Sequence, residues 1–413
     1  MSVPLDIYIR LSLVMFFEYA VWGAWAPVLA ARLLGPLKMS GKQTGWIYTT
    51  LPIACIVSPL LAGHLADHYV NLEWVLAGAH LIAAILMFVA VRQKTFGGLF
   101  ATMLGWSFCY AATMPLVNGV LFRHVPDIGT RGKVFIWAPV AWALVGYSLS
   151  GWRILRKREG DGTDAMILSA FLGIVAAVCC CFLPETKPVS QKTLFEAFSF
   201  LQNPDFLLFI VASLCVAGTM QFYFLGSGQY MMERGISGKV VPGSMAMAQA
   251  VQAIATWFAL SLALEYLGFK WTLVLGAGSW GLLYLIYVAG LPRTVLIPTQ
   301  ALHGVAYVMF IIVGQIYADE VAKAAAGKEF LSSMQGLIFA ATTGVGLFLG
   351  TQLAGFTMDK CSLNGKFQWP KIWAVPLVIT LAGTLVFATL FQGKLPDKPA
   401  ETPVAARSLP AKS

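Results

Sequence analysis

Apolar residues run through this chain in long, uninterrupted blocks rather than in alternation. Met166–Leu183 carries no charge over 18 residues and Phe206–Met232 none over 27. Alternation would indicate half-buried strands, whereas blocks of this length indicate helices. A hydrocarbon core about 30 Å thick needs roughly 20 helical residues to cross it, and lipid accepts only helices or closed barrels. Twelve such spans are predicted, at about 8–33, 43–67, 73–92, 97–123, 133–155, 165–183, 205–232, 241–266, 270–290, 295–318, 329–358 and 371–392. Turn and charge signals separate them, as at Gly35-Pro36, Pro126-Asp127, Arg156–Asp164, Gly235–Gly238 and Leu291-Pro292-Arg293.

The polar stretch Pro184–Asn203 divides the spans six and six. An amino-terminal bundle is therefore expected over 1–183, a cytoplasmic linker over 184–204, a carboxy-terminal bundle over 205–392 and a disordered cytoplasmic tail over 393–413. Within the linker, Leu194, Phe195, Phe198 and Leu201 recur at helical spacing, as in a short helix lying on the membrane surface. Leu183-Pro184-Glu185-Thr186-Lys187-Pro188 after the sixth span is echoed by Leu395-Pro396-Asp397-Lys398-Pro399 after the twelfth, a faint sign of two parallel repeats.

Composition agrees with a membrane class. Of 413 residues 58% are hydrophobic and 11% charged, against about 25% charged in soluble domains, and the mean hydropathy is +0.74. The first apolar run, Leu11 to Ala31, is too long for a signal-peptide core and is expected to be retained. Six of the seven cysteines lie in apolar spans and only Cys361 in a loop, so no loop–loop disulfide is available within one chain. The net charge of +9 is spread through short loops, which suits anionic headgroups and not nucleic acid. With both termini in the cytoplasm, the 28 Lys and Arg divide 13 inside and 15 outside, so charge bias does not orient the chain.

Gly63-x-x-x-Asp67-His68, after the second span, resembles the motif between helices 2 and 3 of the major facilitator superfamily, a loop that is cytoplasmic there. The resemblance implies an all-α fold of twelve transmembrane helices in two six-helix bundles, in a bacterial inner membrane, with both termini cytoplasmic. Gly355-x-x-x-Asp359-Lys360 has the same letters on the opposite side and is read as coincidence. Beyond the superfamily, the chain is similar to the bacterial nucleoside:proton symporter family. Phe16-Phe17-Glu18-Tyr19-Ala20-Val21-Trp22-Gly23-Ala24-Trp25, Pro115-Leu116-Val117-Asn118 and Phe135-Ile136-Trp137-Ala138-Pro139-Val140-Ala141-Trp142 carry the likeness, continued by Gln221, Gln249, His303-Gly304 and Gln335-Gly336.

Against the family pattern, Phe135 stands for an Arg, Pro139 for a Thr, Phe224 for an Asn, Gln252 for a Glu and Val308 for an Asp. The resemblance implies a substrate path lined by Trp22, Trp25, Asn118, Phe135, Pro139, Trp142, Gln221, Phe224, Gln249, Gln252, His303, Tyr307 and Thr343, with Thr342 a lesser candidate. The departures leave it fewer hydrogen-bonding groups than the family provides.

The residues themselves narrow the chemistry. Glu18 is an acid deep in a span, where ionisation costs about 2.5 kcal/mol or more; it takes up a proton, faces a cavity or ties helix 1 to a neighbour. Glu18, Trp22 and Trp25 share one helix face. Gln249 and Gln252 share another, and amides in hydrocarbon demand partners. His303 is a second proton-coupling candidate, since histidine titrates near neutral pH; His80, in peripheral helix 3, is read as structural. No nucleotide loop, zinc spacing or nucleophile–base pair points to an enzyme, a metal or a cofactor. The expectation is a monomeric secondary transporter that moves a nucleoside or similar ring-bearing solute by alternating access, with coupling to protons through Glu18 as one option. A facilitative carrier for another solute such as a sugar, and a non-transporting sensor, are the alternatives.

Overall fold

Long apolar blocks become long helices. A computed structural model describes residues 3–126, 128–188, 194–326, 334 and 337–395. Ten described helical stretches are long and apolar enough to cross a membrane. One of them, Val241–Ala289, holds two spans that meet at Gly268, whose φ of 64° and ψ of −176° only glycine adopts readily. Gly41–His68 adds a further helix of 28 residues, about 42 Å long at 1.5 Å per residue.

The helices are labelled in chain order. In the amino-terminal six, α1 is Leu5–Trp25 with its continuation Leu29–Leu34, α2 Gly41–His68 and α3 Leu72–Arg92. Next come α4, Phe96–His124, then α5, Trp137–Leu155 after the short helix Ile128–Phe135, and α6, Thr163–Cys180. In the carboxy-terminal six, α7 is Pro204–Gly218 continued as Met220–Glu233, α8 is 241–267 and α9 is 269–289. Last are α10, Arg293–Ala306 carried on to Ala326, α11, Leu337–Lys360, and α12, Trp369–Thr389. A two-residue hairpin, Ser362–Leu363 against Lys366–Phe367, links the last two. Leu194–Gln202 of the linker forms a short 3₁₀ helix. Gln335 and Gly336, and the side chains of Gly63 and Asp67, lie outside the described residues.

Irregular backbone interrupts five of the described helices. Pro27, which lacks an N–H, marks the break in α1, and α7 is interrupted at Thr219. Wide π turns occur at Ala255–Ala259 in α8, Tyr307–Ile312 in α10 and Ala340–Gly346 in α11. Inside a membrane, irregular backbone is tolerated only where protein or a cavity covers it, and π turns recur at functional sites.

The two sixes meet chiefly along α2 with α11 and α5 with α8. Small residues permit both contacts: a Cβ on Gly355 would stand 2.5 Å from the Gly41 carbonyl, and one on Gly146 would stand 2.5 Å from the Ala246 Cβ. Lipid gives helices no hydrophobic reason to associate, so such close approach must supply the attraction. The end where α2 begins and α11 finishes, called the far end here, is also stitched by polar bonds. The Asp359 carboxylate accepts from Gly41 N at 2.5 Å and Lys42 N at 2.8 Å. It completes an α2 N-terminus already held by the reciprocal Ser40–Gln43 capping box. What the sequence letters made look accidental is therefore a cross-half cap, invisible without knowing that α11 ends beside the start of α2.

Nearby, Arg153 binds Asp164 through two bonds of 2.7 and 2.8 Å and donates to Gly238 O across the divide at 3.1 Å. Glu159 accepts from Ser237 Oγ at 2.8 Å and pairs with Lys239 at 3.4 Å. The Ser237 hydroxyl holds the Glu159 carboxyl below its usual pKa. This contact is therefore present at neutral pH and is lost as pH falls through that lowered value. Beneath this network lies a hollow of about 130 Å³, lined by Ala31, Arg32, Asp161 and Gln229 among others.

A carboxylate at a helix N-terminus contributes about 0.3–1 kcal/mol, and up to about 2 when partly buried. Asp359→Asn is expected to speed labelling of an Ala31→Cys reporter in the far-end hollow by impermeant maleimide severalfold. An unchanged labelling rate would show that the cap does not hold this end shut.

Candidate functional site

Where α1, α5, α7 and α8 converge, a small cavity separates the two sixes. Gly23, Ala24 and Pro27 of α1, Trp142 and Gly146 of α5, Tyr223 and Phe224 of α7, and Met245 and Gln249 of α8 contribute to its wall. Its volume is about 10 Å³, room for about one water, whereas drug-sized ligands occupy pockets of roughly 300–1,000 Å³. Polar bonds join the sixes at the far end, and a hollow of this size admits a solute only if its walls move apart.

Aromatic rings make the wall continuous. Trp142 stands edge-on to Trp22 at 5.3 Å and tilted against Phe224 at 6.1 Å, joining α1 to α7 through α5. The indole of Trp142 lies directly on Gly23, where a Cβ would be 2.9 Å from its ring. Any larger residue at 23 displaces Trp142. Trp25, expected beside Trp22, instead packs edge-on to Trp106 at 5.1 Å and against Tyr48, inside the amino-terminal six.

Glu18 turns away from the cavity. It is fully buried, with Oε2 2.9 Å from His80 Nε2 and Oε1 accepting from Thr113 Oγ1 at 2.8 Å. Its carbonyl accepts from Tyr110 OH at 2.7 Å. The acid thus joins α1 to α3 and α4 and forms a buried pair with His80, whose Nδ1 has no partner among the described atoms. Thr113 and Tyr110 carried no sequence signal, because hydroxyls in apolar spans are common.

The amides are all interior. Gln221, Gln249 and Gln252 are buried, but of the three only Gln249 lines the cavity. The Oε1 of Gln252 is buried without a partner among the described atoms, as are Tyr223 OH, Asn118 Oδ1, Trp25 Nε1 and His303 Nε2. A buried polar atom left unsatisfied costs about 1–3 kcal/mol, so these groups await a water, a solute or a neighbour brought close by movement. His303 is fully buried, with Tyr223 stacked on it at 4.0 Å and Phe224 edge-on at 5.7 Å. Tyr307 and Thr343, both half-buried, and buried Thr342 sit in the π turns of α10 and α11. Pro139 is buried away from the cavity wall. Phe135, at the other end of the α5 region, packs on Phe122 at 6.0 Å. The sequence missed Tyr223, Gly23 and Gly146 as wall residues. A glycine facing a tryptophan is legible only once the helix pairs are known.

Two six-helix bundles with broken helices around an aromatic hollow make an all-α membrane fold of the major facilitator type. Crystal structures of the nucleoside transporter NupG share the fold, one with a TM-score of 0.81 at 22% identity, covering 94% of this chain and all of that one. A D-xylose–proton symporter follows with a TM-score of 0.70 at 13% identity, covering 95% of this chain and all of that one. The chain belongs to the nucleoside H+ symporter family, whose model matches residues 5–395. Among curated relatives, YegT of Escherichia coli (strain K12) is 29% identical over 408 residues, 93% of each chain. The nucleoside permease NupG of the same organism is 22% identical over 94% of this chain and 97% of its own.

His80→Ala strands the Glu18 carboxyl with Thr113 alone. The variant is expected to lose about 1–3 kcal/mol of stability, read as a lower Tm in detergent. Glu18→Gln in the same background is expected to cost less than the sum of the single changes. Strict additivity would mean that the pair does not interact.

Proposed function

We propose that the chain carries nucleosides through the inner membrane by alternating access, its bundles 1–183 and 205–392 rocking about the hollow between α1, α5, α7 and α8. The observation that carries this reading is the wall itself. Rings of Trp142, Tyr223 and Phe224 line it together with one amide, Gln249, and Trp22 backs Trp142 edge-on at 5.3 Å. Aromatic faces suit a planar base, and a few fixed polar groups orient a ligand in an otherwise apolar pocket. Membership of a family described as nucleoside H+ symporters, and a relative called a nucleoside permease, support the same substrate class.

The two-sided motion follows from where the halves bind each other. Opening the far end must break the Asp359 cap, the Arg153–Gly238 bond and the Glu159 contacts, and a closed opposite end must compensate. We place both termini in the cytoplasm, because the α2–α3 motif is cytoplasmic in the superfamily; the far end is then periplasmic and shut. The path lies within one chain, so a monomer suffices.

For coupling, Glu18 with His80 is the titratable pair buried in the amino-terminal six. Adding or removing a proton at either group would rearrange the hydrogen bonds by which Glu18 joins α1 to α3 and α4. That links protonation to the packing of α1, which also supplies Gly23 and Pro27 to the hollow.

Uptake of radiolabelled nucleosides into proteoliposomes tests both parts. An inward proton gradient is expected to drive accumulation at least severalfold above equilibrium, and Glu18→Gln to abolish accumulation while exchange of nucleoside for nucleoside continues. Gradient-driven accumulation by Glu18→Gln would reduce Glu18 to a tie between helices. Transport of a sugar with no nucleoside transported would overturn the substrate class.

A further inference from the structure

In the carboxy-terminal six, one hydrogen bond fixes the chemical form of a side chain beside the hollow. Trp280, from α9, donates its indole Nε1–H to Nδ1 of His303 at 3.1 Å, and both residues are fully buried. An indole nitrogen is a donor only. The imidazole nitrogen facing it must therefore be bare, and the ring proton of a neutral histidine then sits on Nε2. Adding a second proton at Nδ1 would set two donors against each other. The side chains packed on the ring offer no charge to offset that conflict: Tyr223 lies over its face, Phe224 meets its edge and Trp280 stands at 60° to it.

The Nε2–H so created has no partner among the described atoms. Tyr223 and Phe224, which cover the imidazole, are also wall residues of the hollow. His303 thus sits one side chain behind the wall, and a shift of these two rings as the cavity widens would uncover it.

We propose that Trp280 is a positioning residue for substrate recognition: it holds His303 as a neutral imidazole whose Nε2–H is offered to an acceptor on the solute, a carbonyl oxygen or bare ring nitrogen on the edge of a nucleobase. The ligand part rests on the nucleoside reading above; the locked tautomer does not. His303 is then a recognition group and carries no transported proton.

Two measurements test this in the full-length protein. Nitrogen NMR of protein labelled at histidine, with the His303 signals assigned by their loss in His303→Gln, is expected to show a bare Nδ1 and a protonated Nε2 from pH 5 to 8. Titration of His303 within that range, or a proton on Nδ1, overturns the proposal. Binding of uridine and adenosine is then compared across variants. Trp280→Phe keeps an aromatic ring but loses the donor, and is expected to weaken binding about tenfold and to free the ring to exchange tautomers in the NMR spectrum. His303→Gln, which retains an N–H donor, is expected to bind within about threefold of the wild type, and His303→Leu to lose tenfold or more. Equal affinity of the Gln and Leu variants shows that no hydrogen bond is donated and overturns the recognition role, even if Trp280→Phe proves unstable. Failure of the wild type to bind any nucleoside overturns the functional reading and the ligand part with it, while the NMR result still decides whether Trp280 locks the ring.

Discussion

Everything in this molecule answers to one constraint: within the hydrocarbon there is no water to satisfy a polar atom that the protein leaves unpaired. The backbone meets it by forming helices, whose bonds close within each span. Side chains meet it singly. Glu18 draws on His80 and Thr113, and His303 on Trp280. Outside the hydrocarbon, at the far end, the α2 N-terminus, whose first amides have no partner within their own helix, draws on Asp359 from the other six. Each answer ties together segments far apart in sequence, so the demand for partners also acts as a map of the fold.

The same constraint separates permanent contacts from temporary ones. The Glu18 cluster lies wholly in the amino-terminal six and the Trp280–His303 bond wholly in the carboxy-terminal six, and neither needs to break when the halves move, whereas Phe224 also meets Trp142 across the divide. The Asp359 cap and the Arg153, Glu159 and Ser237 contacts cross between halves at the far end, where departing groups can be rehydrated. Close-packed glycines serve there as well: Gly41 on Gly355 and Gly146 on Ala246 attract by contact and can part without leaving charge in lipid. Rigid clusters inside each half and reversible ones between halves are what a rocking carrier requires.

The hollow is chemically mixed for the same reason. The rings of Trp142, Tyr223 and Phe224 in its wall can pack on one another without water, since their faces need no hydrogen bonds. Gln252 Oε1, Tyr223 OH and His303 Nε2 are buried polar atoms without a protein partner among the described atoms, and such atoms are satisfied by a polar group or a water. Of the positions where the chain departs from the family pattern, Phe224 stands in this wall, so a ring takes the place of an amide there.

Read from sequence alone, the chain already determined its class. Long apolar blocks, scarce charge and the break after the sixth span require a twelve-helix membrane protein in two sixes, because each span settles its backbone hydrogen bonds locally and needs no distant residue. The interior placement of Glu18, Gln221, Gln249, Gln252 and His303 was legible too, since polar groups in apolar helices avoid lipid. Which partner each one takes was not. His80 opposite Glu18, Trp280 behind His303, Gly23 under Trp142 and Asp359 on α2 are pairings across helices, set by the rotation and depth at which spans pack. No local periodicity encodes rotation and depth, so only the tertiary structure decided them.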